Sequence, residues 1–167
     1  MNDAIYEHIV ARRSSPLDLI KKIALILVLA LIFIIMIGIG LGGFSLVIML
    51  ILGFLTHVFI FSKINKEYEY TLLNHDMDVD VIYNKQKRKR ALSFDFQKAE
   101  IIAPKNSPRL RSFNIEKTYD FSSGDPNEKV FSIIMQLNQK RTCIMIEPDQ
   151  GMINHMRPWM GSKFHLD

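Results

Sequence analysis

Two periodicities divide the chain. Ile23 to Phe61, 39 consecutive residues, contains no Lys, Arg, Asp or Glu, and after Lys66 apolar positions alternate with polar ones. A bilayer core of about 30 Å is crossed by about 20 helical residues. The uncharged run at about 1.5 Å per residue would reach about 59 Å, too long for one straight helix. Gly38, Gly40, Gly42 and Gly43 mark the break, since each glycine lowers helix propensity by about 1 kcal/mol relative to alanine. The pattern predicts two helices, 19–37 and 44–62, joined by a turn at 38–43.

Beyond Lys66 the period is two. Tyr68, Tyr70 and Leu72 alternate with Glu67, Glu69 and Thr71. Met77, Val79, Val81 and Tyr83 alternate with Asp76, Asp78 and Asp80, and Asn74-His75 separates the runs. This is a hairpin signature. Further strands are expected at 91–96, 99–103, 113–121, 130–137 and 142–146, with 122–127 and 138–141 as turns. Pro148 suits the first turn of a helix, and Met152, Ile153, Met156 and Met160 recur at helical spacing, with Pro158 and Gly161 limiting its length. The predicted order is a membrane α-helical hairpin followed by a small mainly-β domain, an antiparallel barrel or sandwich, with a C-terminal helix near 148–157. Residues 1–18 form an N-terminal cytoplasmic segment, 19–62 the hairpin and 63–167 the β domain.

Charge sets the orientation. The segment 1–22 carries four basic and three acidic residues, and 62–167 carries seventeen and fourteen. Arg12, Arg13, Lys21 and Lys22 flank one end of the apolar run, Lys63 and Lys66 the other, and the glycine turn has none. The positive-inside rule then places both termini in the cytoplasm of a multi-pass protein of the cell membrane. A cleaved signal peptide is the competing reading, but no small-x-small cleavage site followed by a polar start is present. Gly38 to Gly43 formally matches G-x-G-x-x-G, yet it lies between apolar segments with no strand before it. His57 is the one ionisable residue within the spans and is expected near the cytoplasmic interface.

The order of elements resembles small Gram-positive bacterial membrane proteins whose cytoplasmic part is a pleckstrin-homology-type (PH-like) barrel. The chain is most similar to an uncharacterised family of these, through Tyr68-Glu-Tyr-Thr-Leu72, Asp78-Val-Asp-Val-Ile82, Lys87-Arg-Lys-Arg90 and Ile102-Ala-Pro104. His75-Asp76 departs from the glycine-containing turn such proteins tend to carry. The resemblance implies a PH-like domain and brings no activity or cofactor with it.

Lys85, Lys87, Arg88, Lys89 and Arg90 put five positive charges in six residues, at a turn between predicted strands. Three readings compete: a solvated hairpin, a contact with anionic lipid headgroups or an acidic partner at about 1 kcal/mol per basic residue, and nucleic acid, which is disfavoured because no aromatic residues interleave. Asp76, Asp78 and Asp80 share one strand face, which cannot supply the six oxygens of a hard-cation site; they read as a solvent-facing row attracted to the basic run. Trp159 is a weaker candidate interface residue, and His155 and His165 do not make a metal motif. The single cysteine, Cys143, excludes an intrachain disulfide and reads as core filling. No nucleophile with a base and no cofactor or metal motif is recognisable. The expected function is therefore non-enzymatic: a membrane-anchored PH-like domain that binds a protein partner, itself or another membrane protein, or the anionic inner leaflet. The alternative is an accessory subunit of a membrane enzyme or transporter complex.

Overall fold

A computed structural model describes residues 5–59 and 65–167. Ser62 and Lys63, which end the second predicted helix and begin its basic flank, lie outside the described residues. The chain forms two compact units. One combines the residues up to Arg13 with Glu67–Ile82 and Lys87–Asp167; the other combines Ser14–Lys66 with Tyr83–Gln86.

The helical unit follows the apolar run. Helix α1, Pro16–Gly38, starts with Ser15 as N-cap, a capping box with Asp18, and proline in its first turn. Its 23 residues are long and apolar enough to cross a membrane. Helix α2, Gly43–Phe59, has 17 residues and is shorter. Gly40 and Gly42 between them have φ of 84° and 47°, left-handed values that glycine adopts without strain. Large apolar side chains of both helices are exposed on several sides: Leu17, Ile20, Ile26 and Val28 on α1, Phe44, Leu46, Leu50 and Phe54 on α2.

The β unit begins earlier than the pattern suggested. Residues 5–11, expected to be part of a cytoplasmic tail, form strand β1, Ile5–Ala11, which pairs antiparallel with β2, Lys66–Leu73, in a register from Ile5 against Leu73 to Ala11 against Glu67. Strands β3, Asp76–Tyr83, and β4, Lys87–Asp95, complete a four-stranded sheet in the order β1-β2-β3-β4. The helical unit is thus an insertion between two paired strands of one sheet. Asn74, with φ of 57°, takes the left-handed position that a glycine would fill in the β2–β3 turn.

A second sheet has the order β5-β7-β8-β6, from β5, Ile101–Pro104, β6, Lys117–Asp120, β7, Phe131–Leu137, and β8, Lys140–Ile146. The expected all-antiparallel arrangement fails at one place, because β6 runs parallel to β8. Of the strand expected over 113–121 only β6 is extended in the sheet, and a 3-10 turn at Pro108–Ser112 precedes it; Leu110, Phe113 and Ile115 of this stretch pack on Ile101, Ala103 and Ile134. Strand β7 is buried on both faces from Phe131 to Met135.

Helix α3, Gln150–Met160, is capped by Asp149, which accepts the Met152 N–H, so Pro148 precedes the helix instead of opening it. It continues through Pro158 and stops at Gly161, where φ is 54°. Its buried face is Met152, Ile153, Met156 and Met160, the spacing read from the sequence. Tyr70, fully buried, donates its hydroxyl to the Phe121 carbonyl at 2.6 Å and so ties the first sheet to the segment after β6; burial pushes its phenol well above the usual tyrosine range.

Candidate functional site

The basic run lies on a strand rather than in a solvated loop. Asn84 and Lys85 form the β3–β4 turn with φ of 49° and 56°, and Lys87 to Arg90 are the first residues of β4. This corrects the expected strand start at 91. Alternation along β4 divides the charges. Arg88 reaches Glu69, with which it is in close ion-paired contact, and lies 3.7 Å from Asp80. Arg90 lies 2.7 Å from Asp78 and 3.5 Å from Asp80.

The acidic row of β3, joined by Glu69 of β2, is therefore what the two arginines neutralise. Glu69 is only 4% exposed, so its carboxylate depends on Arg88 for compensation. Asp80 Oδ1 makes no hydrogen bond and has Arg90 Nε as its near charge. Lys85, Lys87 and Lys89 are exposed. Sequence reasoning anticipated an attraction between the acidic row and the basic run but did not find Glu69, whose neighbours Tyr68 and Tyr70 suggested only an outward-facing residue.

The turn lies at one particular end of the first sheet. The Asn84 N–H donates to the Asn65 carbonyl at 2.9 Å, which places the turn beside the start of β2. Ala11, the last residue of β1, pairs with Glu67 at that same end. Both points where the chain leaves for and returns from the helical insertion thus gather with the lysines at one edge of the domain.

At the other end, His75 meets the carboxylates of Asp95, at 3.1 Å, and Asp76, at 3.6 Å. Trp159 of α3 stands edge-on to the His75 ring, with centroids 5.6 Å apart. His155 contacts the Asn74 carbonyl at 3.0 Å. The structure therefore brings Trp159 and His75 together, which their separation in sequence concealed.

A third polar cluster was missed because β1 was missed. The Tyr6 hydroxyl donates to both oxygens of Asp149, at 2.7 and 2.6 Å, and His8 Nδ1 lies 3.5 Å from the same carboxylate. Burial works to raise the Asp149 carboxyl, but hydrogen bonds from Tyr6 and the Met152 N–H and the nearby His8 outweigh it and hold the group below its ordinary range. The hydrogen bond to Asp149 in turn raises the Tyr6 phenol. Alternation of Tyr6, His8 and Val10 with Ile5, Glu7 and Ile9 was the available signal.

A cleft of about 620 Å³ beside this cluster is lined by His8, Arg13, Ser123, Glu128 and Glu147 among others. Glu147 is engaged there by the Ser123 N–H and hydroxyl, at 2.9 and 2.6 Å. A second cleft, about 680 Å³, lies between Lys105, Phe131, Ile153 and Leu166. Cys143 is half-buried, and burial raises its thiol, which disfavours the reactive thiolate at neutral pH.

The model of a family described as a bacterial PH-like domain, DUF6106, matches residues 2–166, and the chain belongs to that family. The match begins before the apolar run, in keeping with β1 as part of the domain. No curated protein and no solved structure matches the chain.

Proposed function

We propose that this bacterial PH-like protein is a non-enzymatic membrane protein in which the helical insertion spans the bilayer twice and holds the β domain against the anionic cytoplasmic leaflet. One observation carries the reading: two apolar helices, exposed on several sides, interrupt a single β-sheet between strands that remain paired. Apolar surface of that kind is costly in water and cheap in lipid.

The pairing also constrains topology. Residues opposite each other in an antiparallel ladder are about 5 Å apart, so Ala11 and Glu67 lie on one side of any membrane. The insertion must then cross an even number of times. If α1 spans, α2 returns the chain, and its 17 residues, about 26 Å long, suffice for a thin or locally thinned bilayer. A signal peptide cleaved after the apolar run would remove β1 from its own sheet, which counts against that alternative.

Orientation comes from the basic flanks, and the leaflet contact from the lysines that open β4, which share the sheet end with Ala11 and Glu67. Arg88 and Arg90 are already compensated within the domain, so Lys87 and Lys89 are the leaflet-facing groups. At about 1 kcal/mol each they would orient an anchored domain rather than recruit a free one. A protein partner at the same lysines is the second reading, favoured only by their exposure.

Two measurements test this. In intact cells, with Cys143→Ser as background, Leu41→Cys should react with a membrane-impermeant thiol reagent and Ser162→Cys should not; labelling at 162 would overturn the topology. In lipid nanodiscs, amides of residues 84–89 should exchange more slowly when anionic lipid is present, and the difference should vanish in Lys87→Gln/Lys89→Gln. Equal exchange in neutral and anionic discs would remove the leaflet contact and leave the protein-partner reading.

A further inference from the structure

We infer that His75, Asp76 and Asp95 form a binding site for a divalent transition-metal ion of the zinc class, at the β2–β3 turn end of the first sheet. The donors come from three places: the β2–β3 turn, the first residue of β3 and the last residue of β4. All three ligand atoms lie within 4.8 Å of one another. Ligands held about 2.1 Å from a tetrahedral ion are about 3.4 Å apart. The separations from His75 Nδ1, 3.1 Å to Asp95 Oδ1 and 3.6 Å to Asp76 Oδ1, bracket that value.

The surrounding contacts hold the donors in place. Asp95 caps a 3-10 turn, its Oδ1 accepting the Gln97 N–H at 2.9 Å, which fixes the carboxylate before any ion arrives. The following residue, Phe96, is fully buried and donates its N–H to the His75 carbonyl at 3.0 Å, joining the two ligand-bearing segments. Two carboxylates and one imidazole give a net charge of −2 when the histidine is neutral. Lys98 Nζ approaches Asp95 at the other oxygen, Oδ2, at 3.6 Å, and so leaves Oδ1 on the histidine side.

The donor set selects the ion. One nitrogen and two oxygens, with water completing the shell, suit zinc, cobalt or nickel; the imidazole nitrogen disfavours calcium and magnesium, hard cations that take oxygen ligands. The sequence concealed the site because Asp95 is twenty residues from His75, and the row of three aspartates drew attention to Asp78 and Asp80, which the arginines occupy.

Trp159, the single tryptophan of the chain, reports on the site directly, since its ring is 5.6 Å from that of His75. Co²⁺ added to the purified full chain in detergent should quench Trp159 fluorescence saturably at one equivalent, and excess Zn²⁺ should reverse the quenching. His75→Ala should weaken Co²⁺ binding at least tenfold. Asp95→Asn, which retains an acceptor for the Gln97 N–H and so keeps the turn, should do the same with an unchanged circular dichroism spectrum. His165→Ala should bind like wild type. Quenching that is absent, does not saturate, or is unaltered in both His75→Ala and Asp95→Asn would overturn the assignment.

Discussion

The two sheets of the β domain are built from different stretches of chain. The second is assembled from one continuous stretch, 101–146. The first needs residues 5–11, which are separated from their partner β2 by the helical insertion. The second sheet can form as soon as its own segment is synthesised, whereas the first can be completed only when the insertion has brought Ala11 back to Glu67. Loop-closure entropy rises only slowly with length, and a helical hairpin whose ends return to the same place reduces it further. The insertion is thus tolerated by the fold, and the N-terminal residues become part of its stability.

The largest effect should come from removing that contribution. A chain starting at Lys66 lacks β1, leaves the edge of β2 unpaired and uncovers Tyr70 and Leu72. It should melt without cooperativity or form aggregates, and adding back a peptide of residues 1–13 should restore a sharp transition. A cooperative melt of the 66–167 fragment equal to that of the intact domain would show that β1 is dispensable and that the two sheets do not differ in this way. The next effect lies in the second sheet. Ile134→Ala leaves a cavity between Ile101 and Ala103 on a strand buried on both faces, and should cost about 2–5 kcal/mol in chemical denaturation.

The sequence revealed β2, β3, β7, β8 and α3, but not β1, the first half of β4 or the parallel placement of β6. Strands β7 and β8 and the methionine face of α3 could be read because burial on one or both faces leaves a simple apolar pattern. Residues 5–11 carry the same period of two, but a seven-residue strand beside a long apolar run has no local partner and reads as a tail. Lys87 to Arg90 misled for the opposite reason. Four consecutive basic residues look like solvated loop, and only the carboxylates of Glu69, Asp78 and Asp80 across the sheet make them acceptable in a strand. The His75 cluster was hidden because tertiary pairing, not sequence spacing, brings Asp95 to the turn.

The division of the basic run gives a third, smaller effect. Arg88→Gln leaves the buried Glu69 carboxylate without its cation and should cost about 1–3 kcal/mol. This falls below the 3–5 kcal/mol of a fully buried pair, at about half that scale, because the guanidinium is partly exposed. Lys87→Gln and Lys89→Gln should change stability by less than about 0.5 kcal/mol, as exposed charges generally do. Thermal melts of the three variants separate structural arginines from lysines available to the leaflet, and equal losses in all three would erase that distinction.

The smallest effect tests how β1 is held and carries a pH signature that a packing change would lack. Tyr6→Phe removes the hydroxyl that donates to both Asp149 oxygens, at a cost of about 1 kcal/mol near neutral pH. The Asp149 carboxyl is held below its ordinary value of 3.8, so its contribution is present above that pH and is lost as pH falls through the lower folded value. The Tyr6 phenol is raised above its ordinary 10.0, so its contribution is present below that pH and is lost as pH rises through the higher folded value. Wild type and Tyr6→Phe should therefore differ most between about pH 5 and 9 and converge at both extremes. Gly151→Ala should reproduce the neutral-pH loss with the tyrosine itself retained, since a Cβ there would overlap the Tyr6 hydroxyl and ring edge and push them from the carboxylate. A difference between wild type and Tyr6→Phe that stays constant from well below pH 3.8 to well above pH 10.0 would mean that Tyr6 secures β1 by packing alone, and the first sheet would then depend on its N-terminal strand through the backbone ladder rather than through this polar clamp.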